Sequence, residues 1–249
     1  MTHSFWTAAV VAAATTFLTA SDSRAQSTKH FTFPLSDGTQ MLFTLSVPAD
    51  YVPGKPTPLI LALHPGGERP PYYGEMFLRQ VAAPALNDLH AVMVAPDCPT
   101  RTWAEEGADR AVMALLDKIL SDYTIDRKRV LITGFSMGGG GTWFMAARHP
   151  DFFTAAIPIA GPLRDQKVEQ LGTIPTFVIH SRDDQLVPFG PSEAAVKTLQ
   201  GMGRPVAFEP LTGVGHYQMG GYISTLRQAG QWVVDRWAGK PLPLSTNAR

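Results

Sequence analysis

The stretch Val130-Leu-Ile-Thr-Gly-Phe-Ser-Met-Gly-Gly139 decides the fold. An apolar, β-branched run ends at Gly134-Phe135-Ser136-Met137-Gly138, and a helical pattern begins directly after it. Glycine, any residue, serine, any residue, glycine between a strand and a helix describes a nucleophile elbow. The turn is so tight that the serine takes a strained backbone, and its flanking positions must be nearly free of side chain. Gly134 and Gly138 meet that steric demand. The strain lifts the Ser136 hydroxyl clear of the sheet and aims the Met137 N–H at the same point in space. The five-residue pattern also arises as a plain structural turn; the strand before it and the helix after it favour the elbow.

Outward from this point, strand-like runs alternate with helical patterns. Phe31–Phe33 and Met41–Val47 read as an antiparallel pair around Asp37-Gly38. Short apolar strands follow at Leu59–His64, Ala91–Ala95, Val130–Thr133, Ala155–Ala160, Thr176–His180 and Val206–Pro210. Several are apolar throughout, as expected of parallel strands buried on both faces. Helices are expected near Met76–Leu89, Asp109–Asp122, Gly141–Arg148, Ser192–Gln200 and Tyr222–Trp237. The alternation predicts an α/β fold, a mostly parallel eight-stranded sheet with helices on both faces. Only Gly161 to Thr173 separates two of the strands, too little chain for a helical lid domain.

The 249 residues suffice for one sizeable α/β domain. The 21 basic and 21 acidic residues cancel and form no long run, which argues against a nucleic-acid or anionic-membrane partner. Residues 1–25 read differently from the rest. Phe5 to Ala20 is apolar and small, and Ser23-Arg24-Ala25 resembles a small-any-small cleavage site before Gln26. This predicts a secretory signal peptide cut after Ala25, a catalytic domain over 26–249, and a secreted or periplasmic protein with no later membrane span. The alternative for the run is an N-terminal membrane anchor. Cys98 is the only cysteine, so no intrachain disulfide can form. It lies in Pro-Asp-Cys-Pro, without glycines to expose it as a nucleophile.

A serine nucleophile needs a base, and the base needs a group that fixes its tautomer. Of the seven histidines, His216 stands apart, in Leu211-Thr-Gly-Val-Gly-His-Tyr217 after the final strand. Gly213 and Gly215 let that loop turn sharply and carry the ring over the strand ends. His3 belongs to the leader, His30 and His90 lie in plain positions, and His149 suits a cap for the elbow helix. The acid is sought between serine and histidine, in His180-Ser-Arg-Asp-Asp-Gln-Leu-Val-Pro188. Asp184 is the choice, with Asp183 beside it and Asp165 and Glu169 as weaker rivals. For the oxyanion, one donor is Met137 N–H. The second is expected from Gly66 or Gly67 in Pro65-Gly66-Gly67-Glu68. Gly138–Gly141 lacks the lysine and spacing of a phosphate cradle; its small residues serve close helix packing.

The ordered set Leu-His-Pro-Gly-Gly-Glu, Ala-Pro-Asp-Cys-Pro, Gly-Phe-Ser-Met-Gly-Gly, His-x-x-x-Asp-x-x-Val-Pro and Gly-x-Gly-His resembles the α/β-hydrolase superfamily. Within it, the chain is most similar to the lidless carboxylesterases often labelled predicted peptidases. These border the polyhydroxybutyrate depolymerase-like and feruloyl esterase-like enzymes. The resemblance spans roughly residues 30–238, with Thr142-Trp143, Pro150-Asp-x-Phe153 and Pro158-x-x-Gly161 among its pieces. It implies Ser136, Asp184 and His216 as the triad and Gly66, Gly67 and Met137 as the oxyanion region. The family usually has His-Gly where this chain has His64-Pro65, and proline carries no N–H.

The expected activity is therefore hydrolysis of carboxylic esters, short-chain or aromatic in their acyl part, small or polymer-linked, with no metal or organic cofactor. Tyr72 and Trp103 are candidates for substrate contact at the site mouth, against the plainer reading that Tyr72, Tyr73 and Trp103 pack the loops. A serine peptidase, an acyltransferase and a non-catalytic binding protein on the same scaffold are the alternatives.

Overall fold

The computed structural model describes residues 27–163 and 167–241. The expected signal segment and Asp165 lie outside the described residues. Eight strands form one sheet: β1 (Ser27–Pro34), β2 (Gln40–Val47), β3 (Thr57–Leu63), β4 (Val92–Pro96), β5 (Ile125–Phe135), β6 (Ala155–Ile159), β7 (Thr176–Ser181) and β8 (Val206–Leu211). Their order is β1-β2-β4-β3-β5-β6-β7-β8. β2 runs antiparallel to both β1 and β4, and every later pairing is parallel. The α/β class with a mostly parallel eight-stranded sheet is thus as the sequence predicts.

Strand alternation sorts the core into two layers. Leu59, Leu61 and Leu63 of β3 join Val94 and Ile132 on one face, under α3 (Glu106–Asp122), α4 (Met137–Arg148) and α5 (Phe189–Gly201). Ile60 and Ala62 join Met93, Leu131 and Ile157 on the other, under α1 (Gly74–Phe77), α2 (Ala83–Leu86) and α6 (Ile223–Trp237). All seven residues of β3 are buried, which explains why the run is apolar without alternation. Each fully buried Leu or Ile contributes about 1.5–3 kcal/mol relative to exposure.

The helix expected over Met76–Leu89 is broken. A five-residue π turn, Leu78–Ala82, separates α1 from α2, and Ala83 N–H reaches back to Leu78 O. Pro84 follows at once, and with no N–H it cannot continue the ordinary ladder.

The elbow helix sits unusually close to the sheet. A Cβ on Gly138 would collide with the carbonyl oxygen of Leu63, and one on Gly141 with the Cβ of Trp103. A Cβ on Gly139 would collide with Ile159 O at the end of β6 and one on Gly140 would crowd Pro162, so the run of four glycines is demanded by the approach of α4 to β3, to β6 with the loop after it, and to the loop before α3. His149 stands at the C-cap of α4 with its backbone N–H donating to Met145 O, while its ring Nε2 donates to buried Asp109 of α3 at 2.8 Å and Arg148 Nε donates to the same carboxylate at 2.9 Å. That pair of contacts ties α4 to α3. Among the described residues no helix is long and apolar enough to cross a membrane.

Candidate active site

Ser136 follows β5 directly and has φ 55° and ψ −116°, outside the regions an L-residue ordinarily takes. Two backbone hydrogen bonds hold it there: Ser136 N–H donates to Ile159 O at 2.9 Å, and Gly140 N–H donates to Ser136 O at 2.9 Å. A Cβ on Gly134 would collide with Gly138 O, so the turn closes only with glycine at that point.

His216 arrives from the loop after β8. Gly213, with φ 74°, turns that loop, and its N–H donates to Asp183 Oδ2 at 2.6 Å. Gly215 N–H donates to Gln218 Oε1 at 2.6 Å. The imidazole is buried, tilted against the Phe135 ring with centroids 5.1 Å apart. Its Nε2 lies 2.8 Å from Ser136 Oγ and its Nδ1 lies 2.7 Å from Asp184 Oδ2. Asp184 accepts only, so Nδ1 carries the proton and Nε2 is free to take the hydroxyl's.

Asp184 comes from the loop after β7. Its Oδ1 accepts from the N–H groups of Leu186 at 2.9 Å and Val187 at 2.7 Å. Burial works to raise its pKa, yet the hydrogen bonds from His216, Val187 and Leu186 outweigh it and hold the carboxyl below its ordinary value. The carboxylate is thus ionised and aimed. Asp183 points the other way and braces the histidine loop, while Glu169 lies in a 3₁₀ turn, Val168–Leu171, between β6 and β7.

Gly66 and Gly67 lie beside the elbow. A Cβ on Gly66 would meet Met137 Cβ at 3.7 Å, and Gly67 has φ 128°, which only glycine takes readily. Neither N–H has a protein acceptor among the described residues. Met137 opens α4, where a helical N–H has no intrahelical partner. This loop is fixed by a residue that sequence reasoning passed over. His64, fully buried, donates from Nδ1 to Pro65 O at 2.6 Å and accepts Cys98 N–H at Nε2 at 3.0 Å. Its own carbonyl accepts Trp103 Nε1–H at 2.9 Å. Burial pushes its pKa from 6.5 down to about 4, so the ring is neutral, as this donor–acceptor pattern requires.

The two residues expected to contact substrate are placed elsewhere. Trp103 is wholly buried, edge-on to His64 with centroids 4.9 Å apart, beneath the elbow helix. Tyr72, at φ 62°, stacks on His30 with ring centroids 4.0 Å apart, and its N–H donates to Asp97 Oδ2 at 2.7 Å. Tyr73, its neighbour, lines the site instead. A cleft of about 420 Å³ beside Ser136 is walled by Tyr73, Phe135, Met137, Leu186, Tyr217 and Met219. A smaller one of about 170 Å³, lined by Thr102, Ala104, Pro162 and Val187, also reaches Ser136 and Met137. Tyr217 is 82% exposed and Leu186 55%, unusual for apolar side chains this close to a buried histidine.

An eight-stranded sheet in this order, with a strained serine after β5 and acid and histidine loops after β7 and β8, is the α/β-hydrolase fold. Comparison with known proteins agrees. A family model described as PET hydrolase-like matches residues 93–207. The chain is 35% identical over 103 residues to cutinase est1 of Thermobifida alba, covering 39% of this chain and 34% of that protein. It is 28% identical over 158 residues to feruloyl esterase C of Emericella nidulans, covering 59% and 56%. The crystal structure of a thermostable esterase superposes with a TM-score of 0.74 at 32% identity, over 84% of this chain and 62% of that one. In each case less than two thirds of the relative is matched. The chain thus has the α/β-hydrolase fold, and these proteins similar to it carry esterase or cutinase names.

Proposed function

We propose that the protein is a serine hydrolase that cleaves carboxylic esters through an acyl-enzyme. In this reading Ser136 Oγ attacks the ester carbonyl carbon and gives its proton to His216 Nε2. Asp184 accepts the Nδ1–H throughout and stabilises the imidazolium. The negative oxygen of the tetrahedral intermediate faces Met137 N–H and the Gly66-Gly67 loop, where two donors typically supply a few kcal/mol. On collapse the carbonyl–alkoxide bond breaks, and the departing oxygen takes the proton from His216 Nε2. Water then attacks the acyl carbon, giving its own proton to His216, and Ser136 leaves with that proton restored. The observation that supports this most is the unbroken line from Asp184 to His216 to Ser136, at 2.7 and 2.8 Å, behind a serine held at positive φ.

Two clefts that meet at Ser136 and Met137 suit an ester with a group on each side of the bond. The larger one, with its tyrosine, phenylalanine and methionine walls, suits a flat aromatic or apolar acyl group. The relatives' names, feruloyl esterase and cutinase, point to aromatic and polyester substrates respectively. The exposed rim at Tyr217 and Leu186 accords with a site that works without a lid and reaches bulky or polymer-linked esters. Residues 1–25 are read as an export signal, and the protein as secreted or periplasmic; the N-terminal sequence of protein exported from a host cell should begin at Gln26.

The decisive experiment measures hydrolysis of p-nitrophenyl esters from acetate to palmitate, with methyl ferulate alongside, by the protein and by Ser136→Ala. Activity that disappears in the variant supports the assignment. Equal activity in Ser136→Ala would overturn it.

A further inference from the structure

A second histidine stands behind the acid. His180 is the penultimate residue of β7, which is buried throughout, and, like Asp184, is fully shielded from solvent at its side chain. Its Nε2 lies 3.1 Å from Val187 O and 3.3 Å from Asp184 Oδ2, the oxygen that also faces His216 Nδ1. Both of these neighbours accept and neither donates, so Nε2 carries the proton. Nδ1 is then the acceptor, and buried Ser192 at the first turn of α5 donates its hydroxyl proton there at 2.8 Å. Burial pushes the His180 pKa down, consistent with a neutral ring having one donor and one acceptor.

These contacts form a closed frame. Val187 gives its N–H to Asp184 Oδ1 and takes the His180 proton on its carbonyl, so one residue is gripped from both ends. Ser192 anchors the ring to α5, and Phe189 packs edge-on to it with centroids 5.7 Å apart. Asp184 stands only four residues after His180, and without this frame only Leu186 N–H and His216 would remain to hold its carboxylate.

We propose that His180 is a positioning residue for the triad: it fixes the Val187 turn and presents an N–H to Asp184 Oδ2, so that the carboxylate stays aligned with His216 Nδ1. The inference rests on the esterase reading above. Misalignment of a reacting group by about 1 Å can lower the rate about a hundredfold.

The test compares the wild-type protein with His180→Leu, which fills the space without a donor, His180→Gln, which retains an N–H, and Ser192→Ala, which removes the anchor. Kinetics on p-nitrophenyl butyrate give kcat and KM. The rate at which a fluorophosphonate labels Ser136 reports the activation of the serine without an ester, and thermal unfolding reports the fold. The expected result is a loss in kcat of about 10- to 100-fold for His180→Leu, with KM unchanged and phosphonylation slowed in parallel. His180→Gln should recover most of that loss, and Ser192→Ala should show a smaller one in the same direction.

Full kcat in folded His180→Leu would overturn the proposal. So would a Gln variant as slow as the Leu variant with the same melting temperature. If His180→Leu fails to fold, Ser192→Ala decides: unchanged kcat and labelling rejects the frame. A wild-type protein that neither hydrolyses esters nor is labelled at Ser136 would sink the esterase reading itself, and this inference with it. An active wild type with indifferent His180 variants removes only the inference.

Discussion

Acidification from about pH 7.5 to about pH 4 should weaken the fold by about 3 kcal/mol through His64 alone. The reasoning starts from its surroundings. The ring is fully buried, its Nε2 is occupied by Cys98 N–H, and protonation there would break that bond and place a charge between Tyr73 and Trp103. In the folded state its pKa lies at about 4, against 6.5 in an open chain. As the pH falls through 6.5, the unfolded chain takes up a proton that the fold refuses until about 4. The stabilisation is therefore complete above 6.5 and declines by about 1.4 kcal/mol for each pH unit across the window. His180, also lowered by burial, adds to the decline, whereas Asp97, raised by burial, opposes it as its carboxylate becomes protonated. Asp184, held below 3.8, loses its contribution only beneath the window. The contribution of His64 is isolated by comparing wild type with His64→Gln, which cannot titrate. Urea unfolding of both, followed by tryptophan fluorescence at several pH values, gives the two slopes. The variant should be weaker at neutral pH but visibly flatter towards acid. Parallel slopes in the two proteins would refute the account, and so would a wild-type stability that does not change between neutral pH and pH 4.5.

Three further outcomes are expected. Asp184→Asn should lower kcat by about 10⁴-fold with little change in KM, since the wrong tautomer of His216 then faces Ser136. Asp183→Asn, which only loosens the bond to Gly213 N–H, should cost far less, and steady-state kinetics of the two variants distinguish them. Gly138→Ala should destabilise the protein by about 2–3 kcal/mol in urea unfolding, because its Cβ has no room against Leu63 O. Tyr217→Ala should raise KM for methyl ferulate while leaving turnover of p-nitrophenyl acetate near wild type, as expected of an exposed wall that touches only a larger acyl group.

What was legible in the sequence is what local chemistry dictates. The elbow announces itself because only glycine fits at Gly134 and Gly138, and the collisions there bear the reading out. Buried parallel strands are readable because both faces need apolar residues, as β3 does throughout. The neighbours Asp183 and Asp184 do diverge, one towards Gly213 and the other towards His216. What escaped depends on partners distant in the chain. Nothing local says that Trp103 lies under Gly141, or that Tyr72 meets His30. The break at Leu78–Ala82 had a visible cause in Pro84, but a proline in a helical pattern does not specify a π turn. His64 and His180 had a faint signal, a histidine at the end of each of two apolar strands, where a buried ring must find a donor and an acceptor.

The four glycines at the start of α4 carry a consequence for how the Ser136 turn forms. Each is about 1 kcal/mol poorer than alanine at holding a helix, so the segment has almost no tendency to coil by itself. A peptide spanning residues 130–149 should be unstructured in water. The helix becomes favourable only once β3, β6 and Trp103 supply surfaces that a larger side chain could not approach. The geometry of Ser136 is therefore tied to the assembled sheet: the turn that holds it is stabilised by packing from distant segments and not by the local sequence.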